Sequence, residues 1–152
     1  QRTLIAHVML MTLRGAPVIY YGDEQGFVGA GGDQLAREDM FPSKTAVYNA
    51  IDLIGTEKTT AADNFDAGHP LYTAIAGLAK LRATHSSLRK GRQVVRHYEQ
   101  TEGLFAASRI DTTTGEEMLI VFNTAPAARS GNIALDYNAA RFTALAGNCP
   151  AA

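Results

Sequence analysis

The chain lacks the residues that several common kinds of functional site require. Its 152 residues include no tryptophan and a single cysteine, Cys149. One cysteine cannot form a disulfide framework or a thiolate metal site within the chain. Lysine and arginine number 14 against 15 aspartates and glutamates, so the net charge is −1. A charge so close to zero argues against a surface for nucleic acid or for an anionic membrane.

Long hydrophobic runs are also missing. The longest apolar stretch, residues 4–13, is interrupted by His7 and Thr12 and is too short to span a bilayer. No small-residue cleavage pattern follows it, which argues against a signal peptide. Because the chain begins with Gln1 and helix-like sequence, we expect it to start inside a larger domain.

The first part of the chain has the pattern of an α/β unit. Residues 2–13 are apolar almost all round, which predicts a helix buried on most sides. Gly15 and Pro17 end it, and residues 17–21 predict a short strand covered on both faces. The apolar and aromatic content of residues 22–68 predicts an ordered loop, a feature that is usually functional when so long.

The second part changes from helical to strand periodicity. Pro70 opens a predicted helix that ends near Thr84. The net charge is −4 before residue 70 and +3 from there on, which indicates two structural regions. Alternating patterns between turn signals predict an antiparallel sandwich or barrel; the strand candidates are residues 93–98, 104–110 and 118–123, with weaker ones at 132–136 and 141–144.

The glycine-rich start of the loop does not fit a phosphate site. Its glycines match neither the dinucleotide nor the P-loop spacing, and its carboxylates would repel a pyrophosphate. A neutral, hydroxyl-rich ligand suits it better, because carboxylates accept and arginine donates pairs of hydrogen bonds. Asp33 and Arg37, four residues apart, could face such a ligand together if the turn between them is helical. A structural ion pair that fastens the loop is at least as well supported by the sequence, and Asp23 and Glu24 could either cap the turn or contact ligand.

Other kinds of catalytic site have no support. The four histidines show no metal-binding spacing, and His7 is expected to be a core residue. No G-x-S-x-G motif accompanies a serine. Tyr20 and Tyr21 are expected to fill the core.

Several segments in order resemble one enzyme family. Residues 15–26, G-A-P-V-I-Y-Y-G-D-E-Q-G, resemble the last barrel strand of the α-amylase family of glycoside hydrolases. Residues 33–38, D-Q-L-A-R-E, are similar to the family's D-x-x-x-R loop, which binds donor-side glucose units. Residues 81–91 resemble the end of the last barrel helix, and residues 103–109 and 119–123 resemble the first strands of the family's C-terminal β domain.

The resemblance implies an α/β plus β architecture. Residues 1–89 would be the end of a (β/α)8 TIM barrel, and residues 90–152 an incomplete antiparallel β-sandwich. The loop after Tyr21 would then lie at the active-site face of the barrel. The resemblance also implies Asp33 and Arg37 as substrate-binding residues.

The family mechanism is retaining hydrolysis by two aspartates and a glutamate. These residues follow earlier barrel strands, so no catalytic residue is expected in this chain and the fragment alone is expected to be inactive. The family's calcium site also lies upstream, so no metal or cofactor is assigned here.

The expected partner is a starch-like α-1,4-glucan or maltooligosaccharide, handled by a secreted or periplasmic monomer that binds neither nucleic acid nor membrane. Cys149 could pair with a cysteine beyond the chain or be free. Two alternatives stay open: a non-catalytic sugar-binding module made of residues 90–152, and a transglycosylase or α-1,6-specific member of the family.

Overall fold

The computed structural model describes residues 2–136 and 142–147. Within them, helices precede strands along the chain. The helices are α1 (Arg2–Thr12), α2 (Ala46–Asn49), α3 (Pro70–Thr84) and α4 (Ser86–Lys90), and the strands are β1 (Arg92–Tyr98), β2 (Leu104–Ile110) and β3 (Glu117–Asn123). Two short 3₁₀ turns, Asp23–Gln25 and Asp33–Ala36, lie in the long loop before α2.

Helix α3 has the predicted bounds. Pro70 occupies its first turn, where a missing amide costs nothing, and the His69 imidazole accepts a hydrogen bond from the Leu71 amide at 3.2 Å. Ile75 and Leu78 follow Leu71 on the buried face. The helical prediction for this segment is therefore confirmed.

Helix α1 forms as predicted, but it is less buried than expected. Its buried residues are His7, Met11 and Thr12, whereas Leu4 and Leu10 are exposed. The prediction of a helix buried on most sides is wrong for the described structure, because only α3 provides an extensive helical neighbour.

The main core between the two long helices is small. Met11 of α1 packs with Ile75 and Leu78 of α3, and Val8 and Ile19 add partly buried contacts. Ile19 belongs to the segment that follows α1, and its side chain packs this segment against the two helices.

The predicted strand over residues 17–21 is not present. These residues carry no strand pairing with any described part of the chain, and Tyr21 already belongs to a turn. Val18 is 73% exposed and Tyr20 is also exposed, so the expected cover on both faces is wrong here. A strand exists only through hydrogen bonds to a neighbour, and the sequence pattern of one segment cannot supply that neighbour.

The three strands form one antiparallel sheet in the order β1-β2-β3. The strand predictions for residues 93–98, 104–110 and 118–123 are confirmed to within one residue at their ends. In the central strand, Ala106 and Ala107 are completely buried, because small side chains let neighbouring groups cover both of its faces.

An irregularity in β1 between Val95 and His97 accompanies an ion-pair network around Arg96, whose side chain is 5% exposed. Its guanidinium donates to Glu117 at 2.9 Å and lies 2.8 Å from Asp136. Burial opposes the charge of Arg96, but the hydrogen bonds to the two carboxylates outweigh it and raise the pKa of the arginine. This network joins β1 to β3 and to the segment after it.

One buried arginine joins the sheet to the helices. Arg109 of β2 donates to the Thr12 carbonyl at 3.0 Å and to the Gly91 carbonyl at 2.9 Å. It therefore ties the end of α1 to the start of β1.

The described residues contain this one sheet and neither a closed barrel nor a second sheet. The arrangement is compatible with a C-terminal piece of an amylase, while the barrel, the sandwich and the boundary between residues 89 and 90 stay predictions. The weaker strand candidates are not strands where they are described, at residues 132–136 and 142–144. Residue 141 of the second candidate and Cys149 lie outside the described residues.

Candidate functional site

The loop between residues 22 and 68 is closed at its base by one buried amide. The Gln25 side chain donates to the Asp66 carbonyl and accepts from the Asp66 amide, both at 3.1 Å. Further along, the Ser43 amide donates to the Thr60 carbonyl at 2.8 Å. These bonds confirm the prediction of an ordered loop, because they pair its two arms.

The part of the loop that carries the candidate pair is a tight turn. The Ala30 amide donates to the Leu35 carbonyl at 3.0 Å, and the Leu35 amide donates to the Gly32 carbonyl at 2.9 Å. The 3₁₀ turn Asp33–Ala36 follows Gly32 directly. The helical turn on which the sequence hypothesis depended is therefore present.

Asp33 and Arg37 are brought together on this turn. Nη2 of Arg37 donates to Oδ2 of Asp33 at 2.8 Å, with the side chains 57% and 80% exposed, respectively. An exposed pair of this kind contributes about 0–1 kcal/mol to stability. The two groups can therefore exchange their mutual contact for a ligand at little cost, and their exposure leaves them open to one.

The neighbouring carboxylates of Asp23 and Glu24 accept hydrogen bonds from backbone amides. Asp23 accepts from the Tyr20 amide at 3.0 Å, and Glu24 accepts from the Gly22 amide at 3.1 Å. Of the two interpretations of Asp23 and Glu24, these contacts match the structural one, the capping of the turn.

Tyr20 and Tyr21 do not fill the core, and that expectation is wrong. Both rings are exposed and pack against each other with centroids 4.6 Å apart. Partial desolvation raises the pKa of the Tyr21 phenol, as do the Tyr20 hydroxyl and the Asp39 carboxylate, while Arg37 opposes the rise. Arg37 and Asp39 therefore lie near this tyrosine pair. The described residues place no element over either ring, and a local apolar pattern cannot show whether a distant element will cover it.

A second exposed aromatic pair was not singled out from the sequence. Phe41 and Phe65 are exposed and meet edge to face, with ring centroids 5.1 Å apart. The Asn64 amide donates to the Met40 carbonyl at 2.8 Å, which holds the two rings on adjacent arms of the loop. Their sequence separation gave no local signal of this contact.

Two of the four histidines, His7 and His69, are buried in the structure. His7 is buried as predicted, and its Nδ1 lies 2.9 Å from the Thr3 carbonyl. His69 is buried at the start of α3. No group of three or more acidic, histidine or cysteine side chains in residues 2–136 and 142–147 is arranged to hold a metal ion. In the same residues, no helix has the length and apolar character needed to cross a membrane.

The exposed surface of the loop thus combines the Asp33 carboxylate, which accepts hydrogen bonds, the Arg37 guanidinium, which donates them, and the two aromatic pairs. A carboxylate accepts from adjacent hydroxyl groups, and the arginine fork donates to hydroxyl oxygens. Asp33 and Arg37 therefore have the chemistry needed to hold a hydroxyl-rich ligand.

No family model matches the chain, but individual proteins do. It is 46% identical to an alpha-amylase of Streptomyces lividans over 121 residues, which are 80% of this chain and 13% of the relative. It is 31% identical to a beta/alpha-amylase of Paenibacillus polymyxa over 74% of this chain and 7% of that protein. The alpha-amylase SusG of Bacteroides thetaiotaomicron is 27% identical over 78% of this chain and 19% of that protein.

One similar protein carries a different kind of name. The chain is 30% identical over 62% of its length to the amino acid transporter heavy chain SLC3A2 of Mus musculus, of which it covers 20%. The chain spans one fifth or less of the length of each of these relatives. The matches to three amylases, with identity reaching 46%, agree with the ordered motifs and with the loop that they predicted. The chain belongs to the α-amylase family of glycoside hydrolases.

Proposed function

We propose that this chain is the C-terminal portion of a retaining α-amylase-type enzyme that cleaves α-1,4-glucosidic bonds in starch-like glucans. The observation that carries the proposal is the exposed Asp33–Arg37 pair, held on a 3₁₀ turn within a chain similar to alpha-amylases. In this proposal the pair binds glucose units on the non-reducing side of the scissile bond.

The bond-breaking groups in this proposal belong to the longer protein. One aspartate attacks the anomeric carbon, one glutamate protonates the leaving oxygen and then activates water, and a second aspartate stabilises the charged transition state. No residue of this chain is assigned to any of these steps. Asp33 and Arg37 would hold the glucan in register, so that the bond to be cleaved lies between the reacting groups.

The remaining parts of the proposal concern the setting of the enzyme. Residues 1–89 would complete a (β/α)8 barrel and residues 90–152 would begin a β-sandwich domain. The complete enzyme would be a secreted or periplasmic monomer, as the resemblance to the family implies. Cell fractionation and gel filtration of the full-length protein test these two properties.

Replacement of the pair in the full-length protein tests the binding role. We expect Asp33→Ala and Arg37→Ala each to lower kcat/KM on long maltooligosaccharides, because each removes a hydrogen bond to a charged group worth about 1.5–3 kcal/mol. That loss corresponds to roughly a tenfold to hundredfold fall. Steady-state kinetics on maltooligosaccharides of increasing length provide the measurement.

The loop contains a matched control. Lys58 and Asp66 form another exposed ion pair, with Nζ and Oδ2 2.6 Å apart, and Lys58→Ala should leave kcat/KM unchanged. Unaltered kinetics in both Asp33→Ala and Arg37→Ala would contradict the binding role. A full-length protein that binds maltooligosaccharides without hydrolysing them would instead favour a non-catalytic member of the family.

A further inference from the structure

Glu38 is a buried carboxyl group directly beside the exposed Arg37. It is 2% exposed, and its Oε1 accepts a hydrogen bond from the Gly29 amide at 3.0 Å. Its Oε2 is buried without a hydrogen-bond partner among residues 2–136 and 142–147. Burying a polar atom in this way is costly, so stability alone is a poor explanation for a glutamate at this position.

The bond from Gly29 to Glu38 closes the turn that carries the candidate pair. Within residues 29–38, the Ala30–Leu35 and Leu35–Gly32 backbone bonds shape the interior of the turn. Glu38 provides the outermost link, next to the residue from which the guanidinium extends. The turn also packs tightly, since a Cβ added at Gly29 would lie 3.1 Å from the Cα of Ala36.

We propose that Glu38 is a positioning residue whose buried hydrogen bond to Gly29 holds Arg37 in its direction for binding glucan. The inference rests on the proposed binding role of Asp33 and Arg37. A turn that is already ordered reduces the conformational freedom lost when the flexible arginine engages ligand. Glu38 itself, being buried, does not touch the glucan.

Two variants of the full-length enzyme distinguish the effect of losing the hydrogen bond from the effect of changing the size of the side chain. Glu38→Leu removes the acceptor, whereas Glu38→Gln keeps a side-chain oxygen that can accept from Gly29. Because only binding geometry is disturbed, we expect Glu38→Leu to raise KM for long maltooligosaccharides about tenfold with kcat within about twofold. Glu38→Gln should restore KM to within about twofold of the parent.

Thr60→Val is the control for a loss of stability alone. Thr60 is completely buried in the same loop, and its hydroxyl donates to Oδ1 of Asn49 at 2.9 Å. This variant removes a buried hydrogen bond away from the turn. We expect it to lower the melting temperature without changing KM.

A double-mutant cycle tests whether Glu38 acts through Arg37. If it does, Glu38→Leu will not change KM further in an Arg37→Ala background, because the effects of coupled residues are not additive. An equal rise of KM in both backgrounds would overturn the proposal, as would an unchanged KM in Glu38→Leu while Arg37→Ala raises it. Unchanged KM in Arg37→Ala itself would instead remove the proposed binding role.

If Glu38→Leu does not fold, Glu38→Asp takes its place in the comparison with Glu38→Gln. Glu38→Asp keeps the carboxyl group but withdraws it by one methylene, so the bond to Gly29 is lost with a smaller change in polarity. We then expect Glu38→Asp to raise KM and Glu38→Gln to leave it unchanged. The reverse order of these two KM values would overturn the proposal.

Discussion

Two arginines from other parts of the chain donate hydrogen bonds to the last carbonyl groups of α1. This helix has no basic residue in its last turn, and its final carbonyls need partners from elsewhere. Arg82 donates to the Met11 carbonyl at 2.8 Å, and Arg109 donates to that of Thr12 at 3.0 Å. Burial lowers the pKa of Arg109, and the nearby charges of Arg82 and Arg14 lower it further. Helix α1 thus ends on side chains distant in sequence.

Two glycines provide a prediction at the residue scale. A Cβ at Gly91 would collide with the Ser87 carbonyl oxygen and approach the carbonyl carbon of Ile110 to 2.9 Å. No described atom would lie within 4 Å of a Cβ at Gly77, which lies inside α3. We expect Gly91→Ala to lower the free energy of unfolding by about 1–3 kcal/mol. Gly77→Ala should raise it by about 0.5–1 kcal/mol through helix propensity.

Urea unfolding of the two purified variants beside the parent checks this prediction. The opposite signs make each variant the control for the other. Equal destabilisation by both substitutions would contradict the assignment of Gly91 to a close backbone contact.

At the scale of elements, local signals account for what was predicted correctly. Proline at the start of α3 and apolar residues at helical spacing act within a single segment. The strands β1 to β3 are likewise separated by short turns, so each strand finds its partner nearby in sequence. Residues 17–21 are in a different position, because no strand candidate lies next to them in the sequence. A strand there would need a pairing partner that is distant along the chain.

The turn between β2 and β3 is bonded to the start of α4 through two carboxylates. Glu116 lies 2.6 Å from Nδ1 of His85 and accepts from the Ser87 amide, while Asp111 accepts from the Ser86 hydroxyl. The hydrogen bond with His85 lowers the pKa of Glu116, and that from Ser86 lowers the pKa of Asp111. Both carboxylates therefore favour the folded state only while they are ionised.

This arrangement predicts how stability depends on pH. Because the two pKa values are lower in the folded state, the unfolded chain takes up protons first as the pH falls. The free energy of unfolding should fall as the pH drops through and below about 4, the ordinary range of these groups. Glu116→Gln should be less stable than the parent near neutral pH, and its stability should fall less on acidification.

Urea unfolding at a series of pH values from 7 to about 3 measures this difference. Glu102→Gln, which changes an exposed glutamate in the turn between β1 and β2, should follow the parent curve. A Glu116→Gln curve parallel to that of the parent would contradict a role for the Glu116 carboxylate.

At the scale of the whole molecule, the chain combines a long loop that carries the exposed Asp33–Arg37 pair with a three-stranded sheet. The chain covers 13% of the length of its Streptomyces lividans relative and carries the Asp33–Arg37 turn, whereas the catalytic carboxylates are proposed to belong to the longer protein. This division leads to a prediction about activity. The isolated 152-residue chain should not hydrolyse starch or a nitrophenyl maltoside, whereas the full-length protein should.

Parallel assays of the two purified proteins test this division, with a mock purification as the background control. Turnover by the isolated chain above that background would mean that catalytic groups lie within it. Inactivity of both proteins would count against the proposed enzyme.

Sequence alone was sufficient to predict the family, the α3 helix, the three strands and the spacing of Asp33 and Arg37. Short motifs, helical spacing and strand alternation are all patterns among residues that are close together in the sequence. The sequence could not decide between an ion pair and a ligand site for Asp33 and Arg37, and their role stays a prediction although their contact is now defined. Only the tertiary structure decided that Tyr20 and Tyr21 are exposed, that Phe41 meets Phe65, and that Glu38 is buried against Gly29. Those features arise from contacts between segments, and the burial of a side chain depends on every element around it.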